Sequence, residues 1–170
     1  RDYNMNESYK ELLVKREKGL KEAMLRVVSI VFTVLLGFMT LLTGNIYLFV
    51  AVIVLGVLDY FVFQWTDIEY EYLYLDKEIS VDKIMAKTRR KKVTTIDVGK
   101  IEIMAPEKSH QLDSYRRREK KVMDLSAGHD LPEQKLYWVF YEGNKKFLMN
   151  LTEDFAKTIK GIAPRKVYMD

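Results

Sequence analysis

The side chains with the most chemical potential in this chain are clustered cations. Arg89-Arg90-Lys91-Lys92 form one run, and Arg116-Arg117-Arg118 with Lys120-Lys121 form another. Adjacent guanidinium and ammonium groups attract phosphate and carboxylate oxygens, the guanidinium through a planar fork of donors. Facing an anionic headgroup layer, each such cation contributes about 1 kcal/mol. On a strand edge the same residues only keep strands from pairing with other chains. A third group is Asp59, the one formal charge between Val27 and Phe63. An acid at the centre of a membrane span costs about 2.5–3.5 kcal/mol and marks a proton or ion path by default. A relay needs a second intramembrane acid or base, and the run has none. Asp59 sits about one turn from the end of its run, level with Ser29, with Arg26 a turn nearer to water. A bond to Ser29 or Arg26 that fixes two helices together is the expected role.

Catalytic chemistry is poorly supplied. There are no cysteines, which removes disulfides, thiol catalysis and cysteine metal sites. The only histidines, His110 and His129, stand in polar, loop-like surroundings, and neither lies at metal-ligand spacing to a second ligand. Phosphate-cradling glycine loops and calcium loops are missing too. The sequence therefore predicts no catalytic residues, no metal, no cofactor and no small-molecule substrate. Nucleic acid is not expected either. Tyr70, Tyr72 and Tyr74 could stack bases, but the acidic Glu69 and Glu71 neighbour them.

The element that must position these groups is the apolar run from Arg26 to Trp65. As a single helix, Val27 to Phe63 would extend ~55 Å, against a hydrocarbon layer of about 30 Å. A soluble core helix would show a polar face, and this run is apolar all round. Thr43-Gly44-Asn45 breaks it, since Gly and Asn accept turn geometry. Two spans are predicted, 27–43 and 46–63, joined by a tight turn. Gly37, Ala51 and Gly56 are small enough to let helices approach closely, within the hairpin or in an oligomer.

Charge sets the orientation. Lys10, Lys15, Arg16, Lys18, Lys21 and Arg26 precede the first span; Lys77, Lys83, Lys87 and the Arg89 cluster follow the second; the turn has no Lys or Arg. By the positive-inside rule both termini are cytoplasmic, in the plasma (inner) membrane. A cleavable signal peptide is not expected, because the run is long and a second span follows it. Met5 fits a native start, leaving Arg1 to Asn4 outside the fold. From Ser8, a capping-box pattern with Glu11 and apolar residues at Tyr9, Leu12, Leu13, Leu20, Ala23 and Met24 predict an amphipathic helix within 1–26.

After Trp65 the hydrophobic period changes to two. Ile68, Tyr70, Tyr72 and Tyr74 alternate with Glu69, Glu71, Leu73 and Leu75. Strands are predicted at 68–75, 78–84, 92–98, 100–104, 121–126, 136–142 and 145–151, with a polar loop over 107–120. Glu142-Gly143-Asn144 marks a hairpin turn. Thr152, with Glu153 and Asp154 behind it, caps a final helix that Gly161 and Pro164 stop. Seven short strands avoid open edges by curling into a barrel or sandwich, and the helix can plug its end.

That order resembles the pleckstrin-homology-like fold of bacterial membrane-attached proteins, over residues 67–165. Tyr70, Tyr72, Asp76-Lys77-Glu78, Asp82-Lys83-Ile84, Arg89 to Lys92, Ile96-Asp97 and Ala105-Pro106 are similar to a family of uncharacterised two-span membrane proteins from Gram-positive, clostridia-type bacteria. The resemblance implies an α+β membrane protein: an N-terminal helix, a two-helix transmembrane hairpin over 27–63, and a cytoplasmic seven-stranded pleckstrin-homology-like domain with a capping helix. The final helix lacks the tryptophan typical of eukaryotic lipid-binding pleckstrin domains, so their phosphoinositide specificity is not carried over. The expected function is a membrane-anchored, non-catalytic interaction module whose basic clusters meet anionic lipid or a protein partner, or a second copy of the chain. The alternative is a small accessory subunit of a larger transporter, channel or envelope complex.

Overall fold

A computed structural model describes residues 9–16 and 19–170. These separate into two compact units: a helical unit that includes residues 19–68 and 85–89, and a β unit that includes 9–16, 69–84 and 90–170.

In the helical unit, the Gly19 N–H donates to Glu22 Oε2 at 3.1 Å, and α1 runs from Leu20 to Thr43. Gly44 ends it at φ 62°, a left-handed conformation that glycine takes without a Cβ penalty, and its N–H closes on Thr40 O at 2.8 Å. The Asn45 side chain accepts from the Tyr47 N–H at 2.9 Å and so caps α2, Ile46–Thr66. The break falls at the predicted turn, and both helices extend beyond the predicted spans at their far ends. At 24 and 21 residues they reach ~36 and ~31 Å. Both are long and apolar enough to cross a membrane. Their large side chains point outward: Val31, Leu35 and Phe38 on α1, and Val50, Val54 and Val57 on α2, are more than half exposed. The two buried side chains of the helices are Arg26 and Gln64. An apolar exterior around a polar seam inverts the pattern of a water-soluble helix pair.

The β unit contains two four-stranded sheets among the described residues. The first is β1 (Tyr9–Lys15), β2 (Ile68–Leu75), β3 (Glu78–Met85) and β4 (Arg89–Asp97), in that order. The second runs β5 (Ile101–Pro106), β7 (Gln134–Tyr141), β8 (Lys145–Thr152), β6 (Lys121–Asp124), with β6 parallel to β8. Two-residue turns at Asp76-Lys77 and Ala86-Lys87 have positive φ at both central residues, the geometry that matches strand twist. Tyr72, Ile79, Val81 and Ile96 from the first sheet and Val139, Phe147 and Met149 from the second form the core. The last helix, α4 (Glu153–Ile162), is capped by Thr152 Oγ1, which accepts from the Phe155 N–H at 3.2 Å. It buries Phe155, Ala156 and Ile159, and the Phe155 ring lies edge-on to Tyr72 and Tyr74. The chain end covers the β5 edge: Met104 N–H donates to Lys166 O, and Tyr168 N–H to Met104 O, each at 2.8 Å.

Four sequence expectations are corrected. Tyr9–Lys15 is a strand, not an amphipathic helix; it pairs antiparallel with β2 from Tyr9↔Leu75 to Lys15↔Glu69. Its inward residues are Leu12 and Val14, with Val14 fully buried. The β domain therefore begins before the helical hairpin and closes on residues as late as Tyr168, beyond the expected 67–165. Second, the strands number eight among the described residues instead of seven. Third, the strand predicted from Lys92 begins three residues earlier, because the tight Ala86-Lys87 turn lets β4 start at Arg89. Fourth, the polar 107–120 segment carries a 3-10 turn, His110–Leu112, and a short helix, α3 (Asp113–Arg116). Its Leu112 is buried, and with Tyr115 packs against Ile103, Ala105 and Phe140 on the second sheet. Arg1 to Asn4, Met5, the Ser8 half of the capping box, and Lys18 lie outside the described residues.

Candidate functional site

The polar seam of the hairpin is built from helix spacing. Ser29 and Thr33 are one turn apart on α1, so their hydroxyls lie on one face. Both donate to Asp59: Ser29 Oγ to Oδ1, and Thr33 Oγ1 to Oδ2 at 2.8 Å. Arg26, the next turn down, is not a partner of Asp59. It donates to Thr66 Oγ1 through Nε and to Phe63 O at 3.1 Å through Nη2, with its guanidinium carbon 4.7 Å from the Phe63 ring centroid. Asp59 and Arg26 thus each have partners on the facing helix. Gly37 and Gly56 are not at a close helix approach: a Cβ at either would meet nothing within 4 Å. That open space leaves both glycines outside the close contacts of the hairpin, and Ala51 is half-buried.

In the first basic cluster only Arg90 is engaged. Its Nη2 lies 2.6 Å from Glu71 Oε2 on β2, and its Nη1 3.9 Å from Asp82 Oδ2 on β3. Burial and a hydrogen bond with Glu11 raise the Glu71 carboxyl above the usual carboxylate range, although Arg90 pulls the other way. Arg89, Lys91 and Lys92 are exposed and make no ion pair with a described residue. Arg89 closes the 85–89 turn of the helical unit, where Ala86 N–H donates to Asp67 O at 2.8 Å.

The second cluster lines a groove of about 440 Å³ between the 116–121 turn and the start of β8. Lys120 is its most buried cation, 6% exposed, held by Glu102 Oε2 at 2.8 Å and Tyr141 O at 3.1 Å. Arg118 shares Glu102 at 3.5 Å and stacks over Tyr115. Arg116 bonds Glu107 O and lies 3.6 Å from Asp113. Arg117 and Lys121 make no ion pair with a described residue. Lys146 lies on the Trp138 and Phe140 rings at 4.9 and 5.7 Å. The parallel register sets Lys121 beside Lys145 and Val122 beside Lys146. The lysines of β8 and the counter-charge Glu102 were not singled out in the sequence. They join the cluster only through a strand pairing between residues far apart in the chain, although the Glu142-Gly143-Asn144 turn ahead of Lys145-Lys146 was visible.

Among the described residues the histidines belong to no metal-holding group. The His110 side chain is fully exposed, 3.6 Å from Asp113, and the His129 carbonyl accepts from Asn150 Nδ2 at 2.8 Å. Among the described residues no group of three or more His, Cys, Asp or Glu could hold a metal ion. The most buried polar network is architectural. Tyr72 OH donates to Leu125 O and accepts from the Asn150 N–H, while Asn150 Oδ1 accepts from the Ala127 N–H at 2.8 Å. Burial raises the Tyr72 phenol far above its ordinary range, so it stays a donor.

No curated protein and no solved structure matches the chain. A family match does, and it spans the strand before the hairpin, the hairpin itself and the sheets after it. Over residues 6–169 the chain belongs to the family described as a bacterial PH-like domain (DUF6106).

Proposed function

We propose that this chain is a membrane-anchored, non-catalytic interaction module. The two helices cross the plasma membrane as a hairpin and hold the PH-like domain at the cytoplasmic leaflet. The observation that carries this reading is the pairing of β1 with β2. The hairpin is inserted between two neighbouring strands of one sheet, and Lys15↔Glu69 brings its two flanks side by side. A hairpin that crosses a bilayer then starts and ends on the same side. The lysines and arginines of both flanks make that side the cytoplasm. Outward apolar faces and hydrogen-bond partners for Asp59 and Arg26 suit a hydrocarbon surrounding.

Lipid contact falls to the first cluster. Lys87 and Arg89 belong to the turn that forms one unit with the helices, and exposed cations beside a span contribute about 1 kcal/mol each at an anionic surface. The test is alkaline extraction of native membranes, followed by reconstitution into vesicles with and without phosphatidylglycerol. The chain stays in the membrane pellet, and K87E/R89E alters only the response to phosphatidylglycerol. Release of the wild-type chain by alkali contradicts the anchoring.

A second reading is an accessory subunit of a larger transporter, channel or envelope complex. It is favoured by the open space around Gly37 and Gly56, which leaves flat helix faces for other spans. Recovery of one multispan protein with the hairpin alone, lost in G37L/G56L, supports this alternative.

A further inference from the structure

We propose that the groove walled by Arg116, Arg117, Arg118 and Lys121 on one side and Asn144 and Lys146 on the other is a docking site for an acidic segment of a protein partner, separate from the lipid-facing cluster. This deepens the interaction-module reading by assigning its two basic surfaces to different ligands.

Three observations carry it. First, the cations are concentrated beyond what folding needs. Glu102 engages Lys120 and Arg118, yet Lys121 and Lys145 are register neighbours in the β6–β8 pair with no acidic partner. Like charges side by side on adjacent strands destabilise a sheet, so the arrangement opposes folding and is relieved by an anionic ligand. Second, the cations share one shallow, open groove of about 440 Å³ that also includes Glu119 and the nearly buried Lys120, a surface along which an extended chain can lie. Third, within the β unit the groove is set off from the Arg90–Lys92 part of the first cluster. Asp97 N–H donates to Tyr141 OH, and Tyr141 O accepts from Lys120, so the groove adjoins the Asp97 end of β4. Lys92 lies five residues back along that strand, ~16 Å away. That distance exceeds the screening length of about 8 Å at physiological salt. Forked guanidinium donors at Arg117 and Arg118 suit carboxylates held on a peptide.

The experiment uses the full chain in detergent micelles at about 0.1 M salt, where screening reaches ~10 Å. The probe is a fluorescein-labelled octaglutamate peptide, read by anisotropy. R117E/K121E/K146E weakens binding by about tenfold or more, while K83E/K87E/R89E, with the same change in net charge, shifts it less than about threefold. R117Q/K121Q, which removes charge without adding repulsion, gives an intermediate loss with a melting temperature equal to or above that of the wild-type chain. Equal losses in both triple variants, or no binding by the wild-type chain, overturn the proposal. Loss of phosphatidylglycerol-vesicle binding in the groove variant, with no peptide binding, assigns the groove to lipid and overturns it as well. Failure of the membrane anchoring leaves this assay untouched, because it is run without a bilayer.

Discussion

Val14 is the residue at which the strand and helix readings of the N-terminal segment diverge most. In the strand it faces inward, fully buried against the sheet opposite Tyr70, while Leu13 is 49% exposed. On an amphipathic helix the roles reverse: Leu13 lies on the apolar face with Tyr9 and Leu12, and Val14 lies off it. The perturbation is Asn at each position. Val14→Asn removes a buried valine, at about 1.5–3 kcal/mol, and leaves an amide without a partner, at about 1–3 kcal/mol. The sum is ~2.5–6 kcal/mol, a large fraction of the ~5–15 kcal/mol that holds a domain together. Leu13→Asn costs about 1 kcal/mol or less, from strand propensity alone. Val14→Ala, which deletes two methyl groups, sits between them at about 1.5–2.5 kcal/mol. The assay is urea unfolding of the full chain in micelles, in a Trp65→Phe background that leaves Trp138 of β7 as the sole tryptophan. A severe Leu13→Asn with a tolerated Val14→Asn would refute the strand and, with it, the insertion of the hairpin into the sheet.

Three further outcomes follow from the same geometry. Tyr72→Phe strands the Leu125 carbonyl and the Asn150 N–H and lowers stability by about 2–4 kcal/mol, with faster amide exchange at 125–127. Glu71 holds its proton more tightly folded than unfolded. Acidification from pH 7 through that raised range therefore adds stability, in full below the ordinary carboxylate value. Glu71→Gln loses this rise, seen as a smaller gain in urea midpoint between pH 7 and pH 4 than in wild type. Asp59→Ala removes the acceptor shared by Ser29 and Thr33, and the hairpin loses about 0.6 kcal/mol and no more than ~1.7. Steric-trap unfolding in bicelles measures it.

How legible the fold was depends on how local each signal is. The turn at Gly44-Asn45 and the tight hairpins at Asp76-Lys77 and Gly143-Asn144 are written in adjacent residues, and the period-two run of tyrosines in β2 shows its inner face directly. The Thr152 cap needs only the residues that follow it. Tyr9–Lys15 failed because Tyr9, Leu12, Leu13 and Val14 satisfy both periods over so short a length. What decides between them is the pairing with Ile68–Leu75, across the whole hairpin. The buried Leu112 was hidden among polar neighbours for the same reason, since its partners Ile103 and Phe140 come from two other strands. In the candidate site, the two arginine-rich runs were visible as composition. Their division into Arg90, neutralised by Glu71, and a groove completed by Asn144 and Lys146 needed the register.

The central claim is that one sheet straddles a membrane-crossing hairpin, so everything but the Gly44-Asn45 turn lies on one side. The chain has no cysteine, so single cysteines at Asn45, Lys10 and Lys145 can be read without background. A membrane-impermeant maleimide added to intact cells labels Asn45→Cys alone, and labels Lys10→Cys and Lys145→Cys only after the cells are opened. Labelling of either flank in intact cells, or of all three positions equally in a detergent-free soluble fraction, contradicts the account.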